Sequence, residues 1–264
     1  LNVQPFLIAL TLALVISVVG YYAGSLSRSG ALTATIVGFI TFDLGGILPA
    51  ILLITFFVSS SALTRIGGER KQQVALAFAK GGRRDHGQVL ANGGIAAGCA
   101  AFYGLTGQEL WLVGLAGALA TVNADTWSTE LGVLARQWPR LITNRSRVEP
   151  GTSGGVTREG SMAALGGSGL IGIMASVGMH EFKVALAVIV GGLLGAFADS
   201  LLGASVQAIY YCSTCEKQTE CYPMHSCGTS TKYVRGWRWL TNDGVNFTAS
   251  LVGALVAMAM VWLL

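Results

Sequence analysis

Charge is scarce in this chain. Only 11% of its 264 residues are Asp, Glu, Lys or Arg, where a soluble domain carries about a quarter, and that shortage excludes most soluble enzymes. Disorder is excluded too, because it needs low hydrophobicity and high net charge, and the chain is 52% hydrophobic with a formal charge of +4. Histidine is rarer still, at three residues. The polar/apolar alternation of a membrane β-strand is also missing. Segments that cross lipid must satisfy their own backbone groups, so here they must be helices.

What the chain has instead is long apolar runs, the length a bilayer demands of a spanning helix. The first run lacks a basic leader and a small-residue cleavage motif, so it reads as a span and not as a signal peptide. Hydropathy places about eight spans near 5–23, 31–47, 49–64, 89–106, 109–126, 161–179, 184–210 and 241–264. The second and third are tight, joined by Gly45, Gly46 and Pro49, and one of them is open to a re-entrant reading. The expected fold is all-α, a polytopic transmembrane helical bundle forming a single integral-membrane domain over 1–264, with a hydrophilic loop at 211–240. With eight spans, 16 of the 17 basic residues fall on one side and only Lys183 on the other. The positive-inside rule then puts those loops in the cytoplasm and both termini outside. Charge spent this way points to topology and an anionic ligand, not to nucleic acid.

Ionisable residues inside spans are costly, and they mark candidate sites. Asp85, Gln88 and Asn92 open the fourth span at i, i+3 and i+7, on one helix face. Asn123, Asp125 and Glu130 close the fifth, Asp199 lies two-thirds along the seventh, and Asn242, Asp243 and Asn246 open the eighth. All of these ends fall at the same face. Carboxylates and amides with few histidines suit a hard cation such as Mg²⁺, which usually bridges carboxylates to a substrate phosphate. Asp125 and Asp199 follow glycine-studded helices with a shared Ala-Asp-hydroxyl pattern, so spans five and seven are expected to pack together. Asp125 and Glu130 are five residues apart and do not share a face. They serve different groups, or the helix breaks between them. The competing structural reading pairs the buried carboxylates with Arg84 or Arg136 to hold helices together.

Between spans five and six lies Pro150-Gly-Thr-Ser-Gly-Gly-Val-Thr157. Gly151, Thr152, Ser153, Gly154 and Gly155 can turn backbone N–H groups toward one anion, with charge from Arg145 and its neighbours. No Gly-Lys-Ser/Thr ends it, so it is not a Walker A loop, and a plain flexible turn is the competing reading. Lys80, Arg83 and Arg84 form a second basic element directly before Asp85. Further on, Cys212-x-x-Cys215, Cys221 and His225-x-Cys227 have the spacing of a structural Zn²⁺ site. The favoured ligands are Cys212, Cys215, His225 and Cys227, with Cys221 left over, and a redox pair is the alternative.

Five stretches carry a resemblance: Asp85-x-x-Gln-Val-Leu-Ala-Asn-Gly93, Asn123-Ala-Asp-Thr-Trp-Ser-Thr-Glu-Leu-Gly132, the glycine-rich loop, Ala198-Asp-Ser-Leu-Leu-Gly-Ala-x-x-Gln207 and Leu240-Thr-Asn-Asp-Gly-Val-Asn246. Together with the cysteine loop they resemble the integral-membrane family of animal transmembrane protein nineteen and plant phytyl-phosphate kinase, in order from about residue 65 to 250. One departure is Glu149, where a second proline is expected. The family is also similar to CTP-using polyprenol and phytol kinases and to membrane cytidylyltransferases. The resemblance implies Mg²⁺ and nucleotide phosphates at Asp85, Asn92, Asn123, Asp125, Glu130, Asp199, Asn242 and Asp243 without assigning a role to each; on the chemistry of the residues the metal is expected at Asp125, Asp199 and Asp243. It implies a kinase that turns an isoprenyl monophosphate (phytyl or geranylgeranyl phosphate) into the diphosphate, with CTP favoured and ATP as the other donor. In plants this reaction feeds tocopherol. A bacterial plasma or internal photosynthetic membrane is the expected location. A glycine-lined gap between spans five and seven is the expected path for the lipid tail. A transporter and a CTP-dependent lipid nucleotidyltransferase are the alternatives, and the oligomeric state stays open.

Overall fold

The computed structural model describes residues 3–66 and 83–264. Among them are eight α-helices: α1 (Val3–Tyr22), α2 (Arg28–Gly45), α3 (Ile47–Arg65), α4 (His86–Thr106), α5 (Leu110–Gly132), α6 (Arg158–Met179), α7 (Phe182–Ser205) and α8 (Asn242–Leu263). Six of these, all but α2 and α5, are long and apolar enough to cross a membrane. The expectation of eight spans is met by eight helices but by only six of span-like hydropathy.

The two exceptions have different causes. The end of α5 carries Asn123, Asp125, Thr126, Ser128, Thr129 and Glu130, which lower its hydropathy. The helix runs on to Gly132, six residues past the expected end, without a break between Asp125 and Glu130. From Val113 to Ala124 every residue is buried, and a helix buried all round belongs at the centre of a bundle. Helices α3, α4, α6, α7 and α8 enclose it. Helix α2 is short, begins with Arg28 and Ser29, and carries Asp43 near its end.

Paired contacts set the helix directions. Gly30 lies against the Arg84 carbonyl and Gly45 against Ala100, so α2 and α4 run parallel from end to end. Helix α2 therefore does not turn back on itself. Gly20 faces Leu26 and Gly38 faces Ala13, which makes α1 antiparallel to α2. Thr64 of α3 meets Glu130 of α5, and Ser59 meets Asn123, so those two are parallel. Gly160 and Gly167 of α6 pack on Gly132 and Asn123 in reverse order. Direction thus alternates from helix to helix. The C-terminal ends of α1, α3, α5 and α7 meet the N-terminal ends of α2, α4, α6 and α8 at one end of the bundle. Every described basic residue except Lys183 lies at that end, and Lys183 opens α7 at the other.

Glycines close the centre. In lipid, small residues let helix backbones approach where larger ones would hold them apart. A Cβ at Gly117 would lie 2.6 Å from the Gly253 carbonyl, one at Gly191 would lie 2.7 Å from it, and one at Gly192 would lie 2.8 Å from the Ala120 Cβ. A Cβ at Gly195 or Gly253 would overlap the Thr121 side chain. Helices α5, α7 and α8 therefore touch backbone to backbone. This corrects the expected lipid path between α5 and α7: the glycines there seal the contact and leave no gap.

Two small sheets cap the polar end. Strands β1 (Arg140–Leu141) and β2 (Gly155–Val156) pair antiparallel and hold the glycine-rich loop. Strands β3 (Ile209–Cys212), β4 (Lys217–Thr219) and β5 (Lys232–Arg235) form a sheet in the order β4-β3-β5. The seventh helix thus ends at Ser205 and not near 210, because the chain turns into β3.

Gly253→Ala is expected to destabilise the bundle by about 1–3 kcal/mol, the usual cost of overpacking, read as a lower thermal midpoint in detergent. Gly98→Ala, where a Cβ meets nothing within 4 Å, is the control and leaves the midpoint unchanged.

Candidate functional site

The converging helix ends enclose a cavity of about 990 Å³. Asp125, Glu130, Asp199, Asn92, Asn242 and Asp243 line it, together with Arg84 and residues 151–155 of the glycine-rich loop. Four helices and the glycine-rich loop, far apart in sequence, thus contribute to one space. The N-terminal ends of α4, α6 and α8 lie around it through Gln88, Thr157 and Asn242, and a helix N-terminus favours an anion.

Two walls differ in charge. On one, Asp125, Asp199 and Glu220 are near enough to repel one another. The Oδ2 of Asp199 is buried without a hydrogen-bond donor among the described residues. A buried, unsatisfied carboxylate oxygen is costly and suits a hard divalent cation, which takes oxygen ligands. Mg²⁺ fits this donor set. On the other wall, Thr64 Oγ1 donates to Glu130 Oε1 at 2.6 Å, and Arg84 donates to Ser61 Oγ at 2.9 Å. Burial lowers the Arg84 guanidinium pKa, and the nearby Glu130 carboxylate works against that shift. Asp125 and Glu130 thus line one cavity from two sides of one continuous helix.

Several expected site residues do other work. Asp85 caps α4: its carboxylate accepts from the Gln88 N–H at 3.0 Å, and the Gln88 side chain accepts from the Asp85 N–H at 3.2 Å. This capping box keeps Asp85 out of the cavity lining. Asn123 is fully buried, accepting from Ser59 Oγ at 3.0 Å and donating to the Gly167 carbonyl at 2.8 Å. It braces α5 between α3 and α6 and does not face the cavity. Arg145 is exposed, and its carbonyl accepts from Arg140 at 2.9 Å. Arg83 borders a smaller neighbouring pocket of about 230 Å³, with Gly24, Ser25 and Arg65. Lys80 lies outside the described residues.

The glycine-rich loop is only partly the expected nest. Thr152 and Gly155 spend their N–H groups on turns, to the Glu149 and Thr152 carbonyls. The Ser153 hydroxyl donates to Glu220 Oε1 at 2.7 Å. Gly154 has φ +79°, and a Cβ there would lie 2.6 Å from the Ser200 carbonyl, so the loop is pressed onto the end of α7.

Glu220 was missed by sequence reasoning. It sits inside the cysteine loop beside Cys221, and nothing in the local pattern separates it from Glu216. Only the folding of β3 and β4 carries it to the cavity. Arg65, Gln207, Tyr210 and Arg238 also line the space.

The cysteine loop forms a compact cluster. One ligand atom from each of Cys212, Cys215, His225 and Cys227 lies within 4.8 Å of the others. Cys212 and Cys227 Sγ are 3.5 Å apart, and Cys215 Sγ lies 3.6 Å from His225 Nδ1. Tetrahedral Zn–S bonds of about 2.3 Å put sulfurs about 3.8 Å apart, so the four can hold one metal ion. Hydrogen bonds with Thr229 and then with His225 lower the Cys227 thiol to about 6, while the hydrogen bond with Cys227 and then burial raise the Cys215 thiol to about 11. Cys221 stands outside this group and lines the cavity instead.

Fold and site together define an integral-membrane helical bundle with a polar cavity at one end and a Cys/His cluster above it. A family profile described as "Integral membrane protein DUF92" matches residues 11–254, and the chain belongs to that family. It is 34% identical to Protein PGR of Arabidopsis thaliana, over 92% of each chain. It is 35% identical to an uncharacterised membrane protein, MJ0933, of Methanocaldococcus jannaschii, over 68% of this chain and 74% of that one. It is 27% identical to the chloroplastic protein VTE6 of Arabidopsis thaliana, over 89% of this chain and 65% of that one. No solved structure matches significantly.

Purified protein is expected to carry one zinc per chain by elemental analysis. Cys212→Ser and Cys227→Ser should lose it, while Cys221→Ser should retain it. Equal loss in all three would remove the assignment of ligands.

Proposed function

We propose that the protein is a membrane kinase that transfers a phosphoryl group from a nucleoside triphosphate, CTP in preference to ATP, to an isoprenyl monophosphate such as phytyl or geranylgeranyl phosphate. The observation that carries this reading is the nearness of Asp125 and Asp199 on one wall of a cavity that the glycine-rich loop also lines. The motif resemblance to plant phytyl-phosphate kinase supports the substrate class.

In this reading an oxygen of the lipid phosphate attacks the terminal phosphorus of the donor. The bond to the bridging oxygen breaks, and a nucleoside diphosphate leaves. The acceptor oxygen is already largely ionised at neutral pH, so no strong general base is required. That suits a cavity rich in carboxylates and, among the described residues, without histidine in its lining. Mg²⁺ held by Asp125 and Asp199, with Asp243 or its waters, would neutralise charge on the transferring group. Positioning and charge stabilisation dominate such transfers. Residues 151–155 and the helix N-termini would orient the donor phosphates, while Arg84 and Arg65, which also line the cavity, would attract the acceptor phosphate. In this reading all eight helices span the bilayer, and the cavity end, rich in Lys and Arg, faces the cytoplasm.

Two alternatives separate by experiment. A nucleotidyltransferase would use the same groups but release pyrophosphate. A transporter would need a polar path beyond the cavity, and the sealed contact of α5, α7 and α8 at Thr121 and Gly195 speaks against one.

The test incubates protein in detergent with Mg²⁺, phytyl or geranylgeranyl monophosphate, and CTP or ATP. The expected lipid product is heavier by one phosphate and is absent with EDTA. Asp125→Asn and Asp199→Asn should each lower turnover roughly 100-fold or more, the scale of losing a transition-state electrostatic contact. A nucleotidyl adduct, or full turnover in Asp125→Asn, contradicts the reading.

A further inference from the structure

The cysteine loop and the glycine-rich loop are far apart in sequence, yet one side chain joins them. Glu220 lies midway between Cys215 and His225, the inner ligands of the Cys/His cluster. Its Oε1 accepts from the Ser153 hydroxyl of the glycine-rich loop and from Gln207 Nε2, both at 2.7 Å. Gln207 is almost fully buried, so its end of the contact is fixed. The Glu220 carboxylate also interacts with Asp125 and Asp199. A carboxylate would not be drawn toward two others without something to hold it. Two donors on one oxygen do so, and the strands on either side of the cluster set where the residue points.

We propose that Glu220 is a positioning residue through which metal occupancy of the Cys/His cluster fixes the glycine-rich loop over the cavity. A metal at Cys212, Cys215, His225 and Cys227 ties the two halves of the loop around Glu220. Stripping that metal releases the segment between Cys215 and His225, loosens Glu220, and frees Ser153. Among the described residues, the restraints that remain on the glycine-rich loop are its contact with α7, the short β1–β2 pairing, the hydrogen bond from the Ile142 N–H to the Gly154 carbonyl and its own turns. The coupling holds whatever group the cavity transfers.

Hydrogen–deuterium exchange tests this without an activity assay. Full-length protein in detergent is compared zinc-loaded and after stripping with a chelator. Stripping is expected to speed exchange of the 151–156 amides roughly tenfold, the scale of losing a hydrogen bond to a charged group, with α5 and α7 unchanged. Zinc-loaded Glu220→Ala should show the same fast loop with or without chelator, whereas Glu220→Gln, which keeps the acceptor oxygen, should stay protected and remain responsive to stripping. Should Glu220→Ala unfold, Ser153→Ala removes the bond from the other side and must give the same loop-specific rise. The proposal is overturned if stripping exposes only residues 209–235. It is equally overturned if Ser153→Ala leaves 151–156 protected, or if Glu220→Gln exchanges as fast as Glu220→Ala.

Discussion

The fold depends on the backbone contact of α5, α7 and α8. Gly117, Gly191, Gly192, Gly195 and Gly253 remove the side chains that would separate these helices, and Thr121 fills the small space between them. In lipid no hydrophobic force drives helices together, so close packing must do it. The consequence reaches the polar end directly. Asp125 lies one turn beyond Thr121 on α5, and Asp199 lies one turn beyond Gly195 on α7. Sealing the bundle at Thr121 and Gly195 therefore sets two carboxylates side by side just above the seal.

That placement makes the cavity polarised. Three carboxylates form one wall, while Arg84, Arg65 and the helix N-termini offer positive potential elsewhere. Like charges gathered in a partly buried space raise one another's free energy, and a bound cation relieves it. The two small sheets then close the space from above: β1 and β2 carry the glycine-rich loop, and β3 to β5 carry Glu220 and Tyr210. Cavity and cluster are thus neighbours, with Glu220 of the cysteine loop hydrogen-bonded to Ser153 of the glycine-rich loop.

Much of this was legible in the sequence. Apolar runs located the eight described helices, and the Cys-x-x-Cys and His-x-Cys spacing picked out the same four residues that cluster in space, since metal spacing is a local property. Asp125 and Asp199 were legible because carboxylates within apolar helices are rare. Asp85 misled, since an Asp before a helix with Gln three residues on is equally a capping box. Asn123 misled because a polar residue in a span can brace neighbouring helices as well as face a ligand. Glu220 was invisible: its position depends on the fold of an irregular loop, and no periodicity marks it. The glycines were read as lining a gap when they close a contact, because composition shows a small residue but not what lies opposite it.

In the proposed reading, helix packing builds a divalent-cation site from Asp125 and Asp199. Electron paramagnetic resonance of Mn²⁺ titrated into the detergent-solubilised protein, with the Cys/His cluster already filled with zinc, tests it most directly. The account predicts bound Mn²⁺ that Mg²⁺ displaces, with binding lost in Asp125→Asn and in Asp199→Asn alike. Mn²⁺ binding that survives both substitutions would contradict it.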